Sequence, residues 1–511
     1  MKRKLLTIDC ETDPFLHGRS PEPFLFGLWD GTAYAEFTNT PNFCEAVGRI
    51  NGLAYAHNGG KFDFHFLLPF AKRGSLLIMH GRIVEFTIGN CILRDSYSIL
   101  PVPLAAYKKD KIDYADFERD KRNARLKEIS AYLRKDCEYL YELVNAFLQN
   151  FGNVRTIAAA AMRQARSLMP CLKTLGKSNK LFYELLRPFY FGGRTQAFER
   201  GEFQHVRMYD IVSSYPASML AEHPAGSQFS CDSSKPRKLR GQDFYVVDAT
   251  PSGSLPTRTE TGLEFPNTRG TYYATGHEII AGLETNTLTI HQFLEHIHFK
   301  HAINFQPYVN RFYAMKESNP KGSAQYIFSK LLLNSLYGKF AANPDLYNEY
   351  SLVDADSLDE NSCLESIVSD KLAIVSNPLP SFKKVWYNVA ISASITGLAR
   401  ANLWRGICSL RRRGHSVYYC DTDSIITDGK LDESDALGGW KLEAEGAYCA
   451  IARKKLYAFR KPDDTWKTAS KGARLSPAEI ISVTRGGSVT WRNPAPTFRL
   501  GQTRFLTRII A

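Results

Sequence analysis

The chain has 511 residues, 44% of them apolar and 23% charged, which excludes a wholly disordered or collagen-like protein and leaves room for three or four domains of ~100–200 residues. Lys and Arg number 65 against 52 Asp and Glu, a formal charge of +13. That balance favours a polyanionic partner, nucleic acid before membrane, because neutralised phosphates release condensed counterions. The ten cysteines are scattered with no C-x-x-C pair, so neither a zinc ribbon nor a disulfide scaffold is indicated and a reducing, intracellular compartment is expected.

Residues 1–150 read as alternating strands and helices. Met1-Lys2-Arg3-Lys4 resembles a signal-peptide start, but Asp9 and Glu11 interrupt the apolar segment such a peptide needs. No run approaches the ~18 apolar residues of a membrane span. Leu5–Cys10 suits a buried strand, and Thr7-Ile8-Asp9-Cys10-Glu11-Thr12 sets two acids on one of its faces. Asn58-Gly59-Gly60-Lys61-Phe62-Asp63 adds a third acid, with an amide and an aromatic ring suited to a splayed single-stranded end. The helical pattern Glu128–Phe147 carries Tyr132 and Asp136 at i, i+4, on one face. Four carboxylates converging on two cations would activate a water and stabilise a departing 3′-oxygen. Each piece alone has a mundane reading: D-x-E is common, and Tyr132 with Asp136 would make an ordinary exposed pair.

Asn153–Ser178, rich in Ala, Arg and Lys, reads as a helical connector. Strands and turns follow from Tyr190 to about Pro251. Among them Arg207–Val212 reads as a strand ending at a turn set by Pro216, with Asp210 near its end. Ser252–Gly276 reads as loops and short strands. In the helix candidate Gln325–Lys339, Lys330, Asn334 and Tyr337 share one face, offering a cation for a triphosphate, an amide and a flat ring, and Gly338 would admit a nucleotide close to the backbone. Asp354–Asp370 is locally acidic and Trp386–Arg413 helical. Ser416–Thr427 reads as a hairpin with Tyr419-Cys420-Asp421-Thr422-Asp423-Ser424 at its tip. Its two acids, i and i+2 on an extended chain, tolerate their repulsion if a hard cation such as Mg²⁺ sits between them and leaves coordination sites for phosphates. The last fifty residues read as strand-like.

Tyr419–Ser424, Asp210–Pro216 and Lys330–Gly338 resemble motifs C, A and B of family B DNA polymerases, in the family's order. Lys455-Leu456-Tyr457 resembles the K-x-Y motif, and Tyr190-Phe191-Gly192-Gly193 the Y-x-G-G stretch between exonuclease and polymerase halves. The resemblance implies that Asp210 and Asp423 hold two metal ions, Mg²⁺ or Mn²⁺, with Asp421 in their shell. It also implies that Lys330 meets the triphosphate, Tyr215 packs on its sugar and excludes a 2′-hydroxyl, and Tyr337, near Asn334, borders the base-pair pocket. Lys455 and Tyr457 would hold the primer terminus, and Arg194 would add a phosphate contact beside Tyr190, Gly192 and Gly193. The N-terminal set resembles the Exo I, II and III motifs of a DnaQ-like 3′–5′ exonuclease. Asp9, Glu11, Asp63 and Asp136 would be its metal ligands, with Tyr132 orienting the water and Thr12, His57, Asn58 and Phe62 touching the frayed strand. Lys109 resembles an auxiliary lysine of protein-primed members, with Lys111 a competing candidate.

Between Tyr215 and Lys330 lie 114 residues, and between Lys339 and Tyr419 lie 79. These gaps resemble the two insertions of protein-primed polymerases from phages, adenoviruses and linear plasmids. The fold implied is α+β and multidomain, with an RNase H-like exonuclease domain at 1–150 and a helical connector at 151–189. A right-hand polymerase follows: palm at 190–260 and 381–460, fingers at 307–342 and a small thumb at 461–511. Insertions at 261–306, docking a terminal protein, and 343–380, closing a ring around the template, complete it. Only 54 residues follow Tyr457, so the thumb is either minimal or shortened. DNA, deoxynucleoside triphosphates and a terminal protein are the expected partners, with a monomer or a heterodimer with that protein. The alternatives are a polymerase extending ordinary nucleic-acid primers and an inactive DNA-binding homologue.

Overall fold

The computed structural model describes residues 3–16, 18–358, 360, 362–493, 497–499 and 502–511. Met1 and Lys2, and part of the acidic stretch at 354–370, lie outside the described residues. The first strand, Lys4–Thr12, is buried along most of its length. It runs parallel to Gly52–Ala56, which is itself parallel to Cys91–Asp95, and pairs antiparallel with Pro23–Trp29. Against this sheet lies the helix Leu126–Phe151, longer at both ends than its apolar pattern suggests and followed by Gly152 at φ 70°. Ile129, Leu133, Cys137, Leu140, Val144 and Phe147 form its buried stripe.

The N-terminal sheet does not end with the N-terminal residues. Asn348–Asp354 pairs antiparallel with Gly74–Met79 and carries Leu372–Pro378 and Leu364–Ser369 beyond it, so ten strands form one sheet. Leu352 and Ile374 are buried in the same core as Leu76, Ile78 and Ile83. Arg73 Nε donates to Asp354 at 2.6 Å across the joint.

A second, seven-stranded sheet is antiparallel throughout. Its order is Trp466–Ser470, Leu456–Arg460, Trp440–Arg453, Gly201–Ile211, Ser424–Thr427, Val417–Asp421 and Thr195–Ala197. The long helix Val389–Arg412 covers it, packing Leu403, Trp404 and Ile407 on Tyr209, Ile211, Val417 and Ile425. Helix Ala324–Phe340 belongs to a further core, where Phe328 meets Phe147 and Phe151 of the N-terminal helix edge-on at 5.4 and 5.6 Å.

Two expected boundaries are corrected by strand pairing. The division at 260/261 cuts a four-stranded sheet, because His223–Asp232 and Phe244–Pro251 pair with Leu288–Ile303, and Phe244–Pro251 with Gly270–Thr275. The division at 460/461 separates Leu456–Arg460 from its partner Trp466–Ser470. The strand-like reading of the last fifty residues also needs correction, since Pro477–Thr484 is a helix with a Ser476/Glu479 capping box.

His223 ties these pieces together. Its ring is buried between Ser394 Oγ on the long helix and the carbonyl of Ser218, each at 2.9 Å, and burial pushes its pKa down to about 4. The unfolded chain takes up this proton near pH ~6.5. The folded state accepts it only near pH 4, so the stability contributed by the neutral ring is complete above pH ~6.5 and is lost as pH falls from there towards about 4. His57, His65 and His277 are depressed in the same direction by burial. Replacing His223 with Gln, whose amide does not titrate, should therefore remove one part of the acid-induced loss, about 3 kcal/mol. Thermal melts between pH 4.5 and 7 should show a shallower slope for His223→Gln; parallel slopes would refute the assignment.

Candidate active sites

The first site forms where strand ends and a tight turn meet. Gly201–Ile211 pairs with Ser424–Thr427 so that Asp210 lies opposite Ser424, and Ile211 N donates to the Asp423 carbonyl at 2.8 Å. Thr422, at φ 62°, makes the sharp turn between Asp421 and Asp423. The two acids are thus placed by a turn rather than by alternation along a strand. The Arg194 carbonyl accepts from Thr422 N at 2.6 Å, fixing the turn from below. Asp210 and Asp423 line a cleft of about 1020 Å³ with Tyr215, Lys330, Asn334 and Glu443. Burial, with Asp423 and Glu443 nearby, raises the Asp210 pKa to about 7; burial, with Asp421, raises that of Asp423 to about 6. Two such carboxylates resist ionising together until a cation offsets them. Hard oxygen donors beside an open cleft fit a divalent ion of the Mg²⁺ type.

Around the acids, Tyr215 and Tyr337 stack at 4.2 Å, 21° from parallel. Lys455 Nζ lies 3.1 Å from Asp421, and Tyr457 packs on Tyr419 at 5.2 Å. Gly193 passes beneath the turn: a Cβ there would meet Thr422 Oγ1 at 2.8 Å and Tyr215 Oη at 3.0 Å. Gly192 and Gly338 face open space, and Tyr190 is half-buried, with the Arg187 guanidinium 4.8 Å from its ring.

The second site sits on the N-terminal sheet. Asp9 and Glu11 are on the first strand, Lys4–Thr12, Asp63 opens the short helix Asp63–Leu67, and Asp136 comes from Leu126–Phe151. Asp63 accepts from Cys10 N at 3.2 Å and Cys10 Sγ at 3.1 Å. Burial first and mutual repulsion second raise the pKa values of Asp9 and Glu11. Burial also raises those of Asp63 and Asp136, although hydrogen bonds to Asp63 and the Lys109 charge beside Asp136 oppose it. Among the described residues no donor reaches the buried Asp136 Oδ1, an orphaned acceptor that suits a cation. Lys109 Nζ lies 3.2 Å from Asp136 Oδ2 and 5.4 Å from the Tyr132 ring, and Lys109 and Lys111 are both exposed. Tyr132 Oη meets Tyr114 Oη at 3.1 Å. Gly60 is required here, since a Cβ would lie 1.9 Å from the Ile83 carbonyl. Asn58 accepts from Arg82 at 2.9 Å, the Phe62 ring meets Phe15 and Phe66 edge-on, and Thr12 is buried, donating to the Asp13 carbonyl.

Two expectations fail. Arg194 is only 1% exposed: its guanidinium donates to the Gly253 carbonyl and Gln196 and lies between Trp404 and Phe265, so it cannot reach a phosphate. Its contact with the Thr422 turn is made by the backbone carbonyl alone. His57 spends both ring nitrogens on Ser96 Oγ and the Val102 carbonyl, so it supports its loop and has no nitrogen left for a strand.

The structure also supplies residues that the sequence did not single out. Thr195 Oγ1 donates to Asp421 Oδ1 at 2.7 Å. Arg400, buried against Glu278 at 2.8 Å, donates to the carbonyls of Phe191 and Gly192 and so fixes the Tyr190–Gly193 stretch. Glu443 joins the cleft. Arg400 stands in no local pattern of acids or glycines, whereas Thr195 follows Gly192-Gly193-Arg194 and Glu443 is paired with Glu445 in an acid pattern that would mark it.

A model of DNA polymerase type B, organellar and viral, matches residues 103–380. The DNA-directed DNA polymerase of Enterobacteria phage PRD1 is 36% identical over 99% of this chain and 98% of its own length. The chain belongs to the type B DNA polymerase family. The DNA polymerase of Bacillus phage phi29 is 24% identical over 89% of the chain and 86% of that relative. A phi29 polymerase structure in complex with primer-template DNA and incoming nucleotide substrates matches all of both chains, with a TM-score of 0.76 at 18% identity. This type B polymerase accordingly has the α+β fold of an N-terminal DnaQ-like domain followed by palm, fingers and thumb. Among its described residues no helix is long and apolar enough to cross a membrane.

In this polymerase, Gly193→Ala should displace the Thr422 turn or the Tyr215 hydroxyl by a few tenths of an ångström. Such a shift should lower the rate of nucleotide incorporation roughly tenfold without moving the thermal midpoint. An unaltered rate in single-turnover extension would show that the close approach is not needed.

Proposed function

We propose that the chain is a DNA-directed DNA polymerase with a 3′–5′ proofreading exonuclease, and that it initiates synthesis of a linear genome on a hydroxyl of a terminal protein. The observation that carries the polymerase reading is the meeting of Asp210 and Asp423 in a cleft that also presents Lys330 and Tyr215. Two divalent cations in each site, Mg²⁺ or Mn²⁺, would supply the positive charge that an in-line phosphoryl displacement needs on its attacking and leaving oxygens. Asp210, Asp423 and Asp421 would hold them in the first site. Lys330 receives the triphosphate, Tyr215 lies against the sugar, and Tyr337 with Asn334 borders the base. Lys455 and Tyr457 position the primer end, beside Tyr190, Gly192 and Gly193. In the second site Asp9, Glu11, Asp63 and Asp136 are the ligands, Tyr132 orients the water, and Lys109 offsets charge at Asp136. Asn58, Phe62 and Thr12 border the frayed strand.

On this reading residues 1–150 form the exonuclease domain, 151–189 the connector, and 461–511 most of the thumb. The 223–303 sheet docks the terminal protein, and the 348–378 strands border the template. Template, primer and deoxynucleotides are the substrates, in an intracellular, DNA-containing compartment, with the chain alone or paired with the terminal protein. Protein priming is supported by the size of the two insertions. A second reading, extension of nucleic-acid primers alone, rests on the same first site.

Asp423→Ala should reduce incorporation below about one-thousandth, a loss of ~4 kcal/mol in transition-state stabilisation. Asp9→Ala with Asp63→Ala should abolish 3′-end degradation and spare synthesis. Primer extension and end-labelled degradation on the same preparations check both, and joint loss of the two activities would sink the two-site reading. For priming, labelled deoxynucleotide should become covalently attached to the purified terminal protein in an Asp423-dependent reaction. Its absence alongside normal extension of a DNA primer would favour the second reading.

A further inference from the structure

Outside both carboxylate sites, three side chains on the 223–303 sheet converge on one point. His296 and His298 alternate onto one face of Leu288–Ile303, and Asp243 precedes the adjacent strand Phe244–Pro251. Asp243 Oδ2 lies 3.0 Å from His296 Nε2, and Asp243 Oδ1 lies 3.0 Å from His298 Nδ1. One ligand atom from each of the three fits within a span of 4.8 Å. Tetrahedral zinc, with bonds of ~2.05 Å, sets its donor atoms about 3.3 Å apart, so each carboxylate–imidazole pair, at 3.0 Å, needs to open by only a few tenths of an ångström to admit an ion.

We propose that Asp243, His296 and His298 form a binding site for a transition-metal dication of the zinc class. The donor set suits it: two imidazole nitrogens and a carboxylate favour Zn²⁺ over the oxygen-seeking Mg²⁺. The site is built rather than merely exposed. Asp243 is 1% exposed, and its carbonyl accepts from Gly276 N at 2.7 Å. The His296 ring stacks on the buried Tyr245 at 4.8 Å and 9° from parallel, which fixes its orientation. Asp232, directly opposite His296 on the other neighbouring strand, shares this face and offers a fourth ligand, with water as the alternative.

The proton accounting balances. Without metal, His296 Nε2–H and His298 Nδ1–H can both donate to Asp243. Binding moves each ring to its other neutral tautomer, so no net proton leaves. His298 Nε2 then carries hydrogen, and the Arg240 guanidinium, now 3.5 Å from it, must swing out. An ion here fastens the exposed basic loop Lys235-Pro236-Arg237-Lys238-Leu239-Arg240 to the sheet on both sides, because that loop connects the strand bearing Asp232 to Asp243.

The test uses the full-length chain carrying Asp9→Ala, Asp63→Ala and Asp423→Ala, so that the carboxylate sites contribute little, and compares it with the same chain carrying His298→Ala. After metal stripping, Zn²⁺ loading and gel filtration, elemental analysis should find one equivalent of zinc on the parent and none on His298→Ala. Co²⁺ should give the intense visible absorption of a four-coordinate imidazole site only on the parent, and Zn²⁺ should raise only the parent's thermal midpoint. His296→Gln serves as a second variant should His298→Ala fold poorly, and the Co²⁺ spectrum of the parent needs no variant at all. Absence of retained zinc and of the cobalt bands on the parent, or equal retention in both chains, would overturn the proposal. DNA-primed extension by a chain with His298→Ala alone should be unchanged, so this outcome is independent of the polymerase reading.

Discussion

Carboxylates brought together in a partly dry cleft repel one another, and the architecture around Asp210 and Asp423 is organised by that cost. Burial first, and neighbouring carboxylates second, keep both acids from ionising easily, yet their separation in sequence means that only the sheet holds them together. The register that sets Ser424 opposite Asp210 does so. Thr422 in a left-handed conformation, the Arg194 carbonyl beneath it and Gly193 at its side all serve one turn. A carboxylate pair so constrained is costly without a cation and favourable with one, which is the condition for binding a metal at a defined point.

The two sites are mechanically joined. Phe328 on the helix that presents Lys330 packs on Phe147 and Phe151 of the helix that presents Asp136. The strands at 348–378 extend the N-terminal sheet and are buried in its core. Interiors are close-packed and transmit strain, so the relative placement of the two sites is a property of shared cores rather than of a linker. Arg400 adds a further tie: from the long helix it holds the Phe191 and Gly192 carbonyls where the connector enters the second sheet.

Local features were legible in the sequence. The acids of the 419–424 hairpin, Asp9 with Glu11, and Lys330 with Asn334 and Tyr337 each announce themselves by spacing along a single element, and the elements themselves follow from apolar periodicity. What stayed hidden depends on pairing between distant segments. Nothing near Asn348 signals that its strand joins Gly74–Met79, and a boundary drawn at 260 cannot anticipate that Phe244–Pro251 pairs with Leu288–Ile303. Arg194 reads as a phosphate ligand because arginine beside glycines usually faces solvent; only tertiary packing shows it enclosed by Trp404 and Phe265. Asp243 stands more than fifty positions from His296 and His298, so no short stretch of sequence holds all three ligands.

Both sites solve the same electrostatic problem in the same way. Lys455 lies 3.1 Å from Asp421, and Lys109 lies 3.2 Å from Asp136. In each, a lysine lies against one acid of the cluster, and in the first Lys467 also lowers the Asp210 pKa while Lys330 lines the same cleft. The placement of these lysines modulates the charge that each cluster presents to metal. Because each lysine reaches its acid from a different chain segment, through a loop at 455 and another at 109, the fold tunes that charge independently of the strands that carry the ligands.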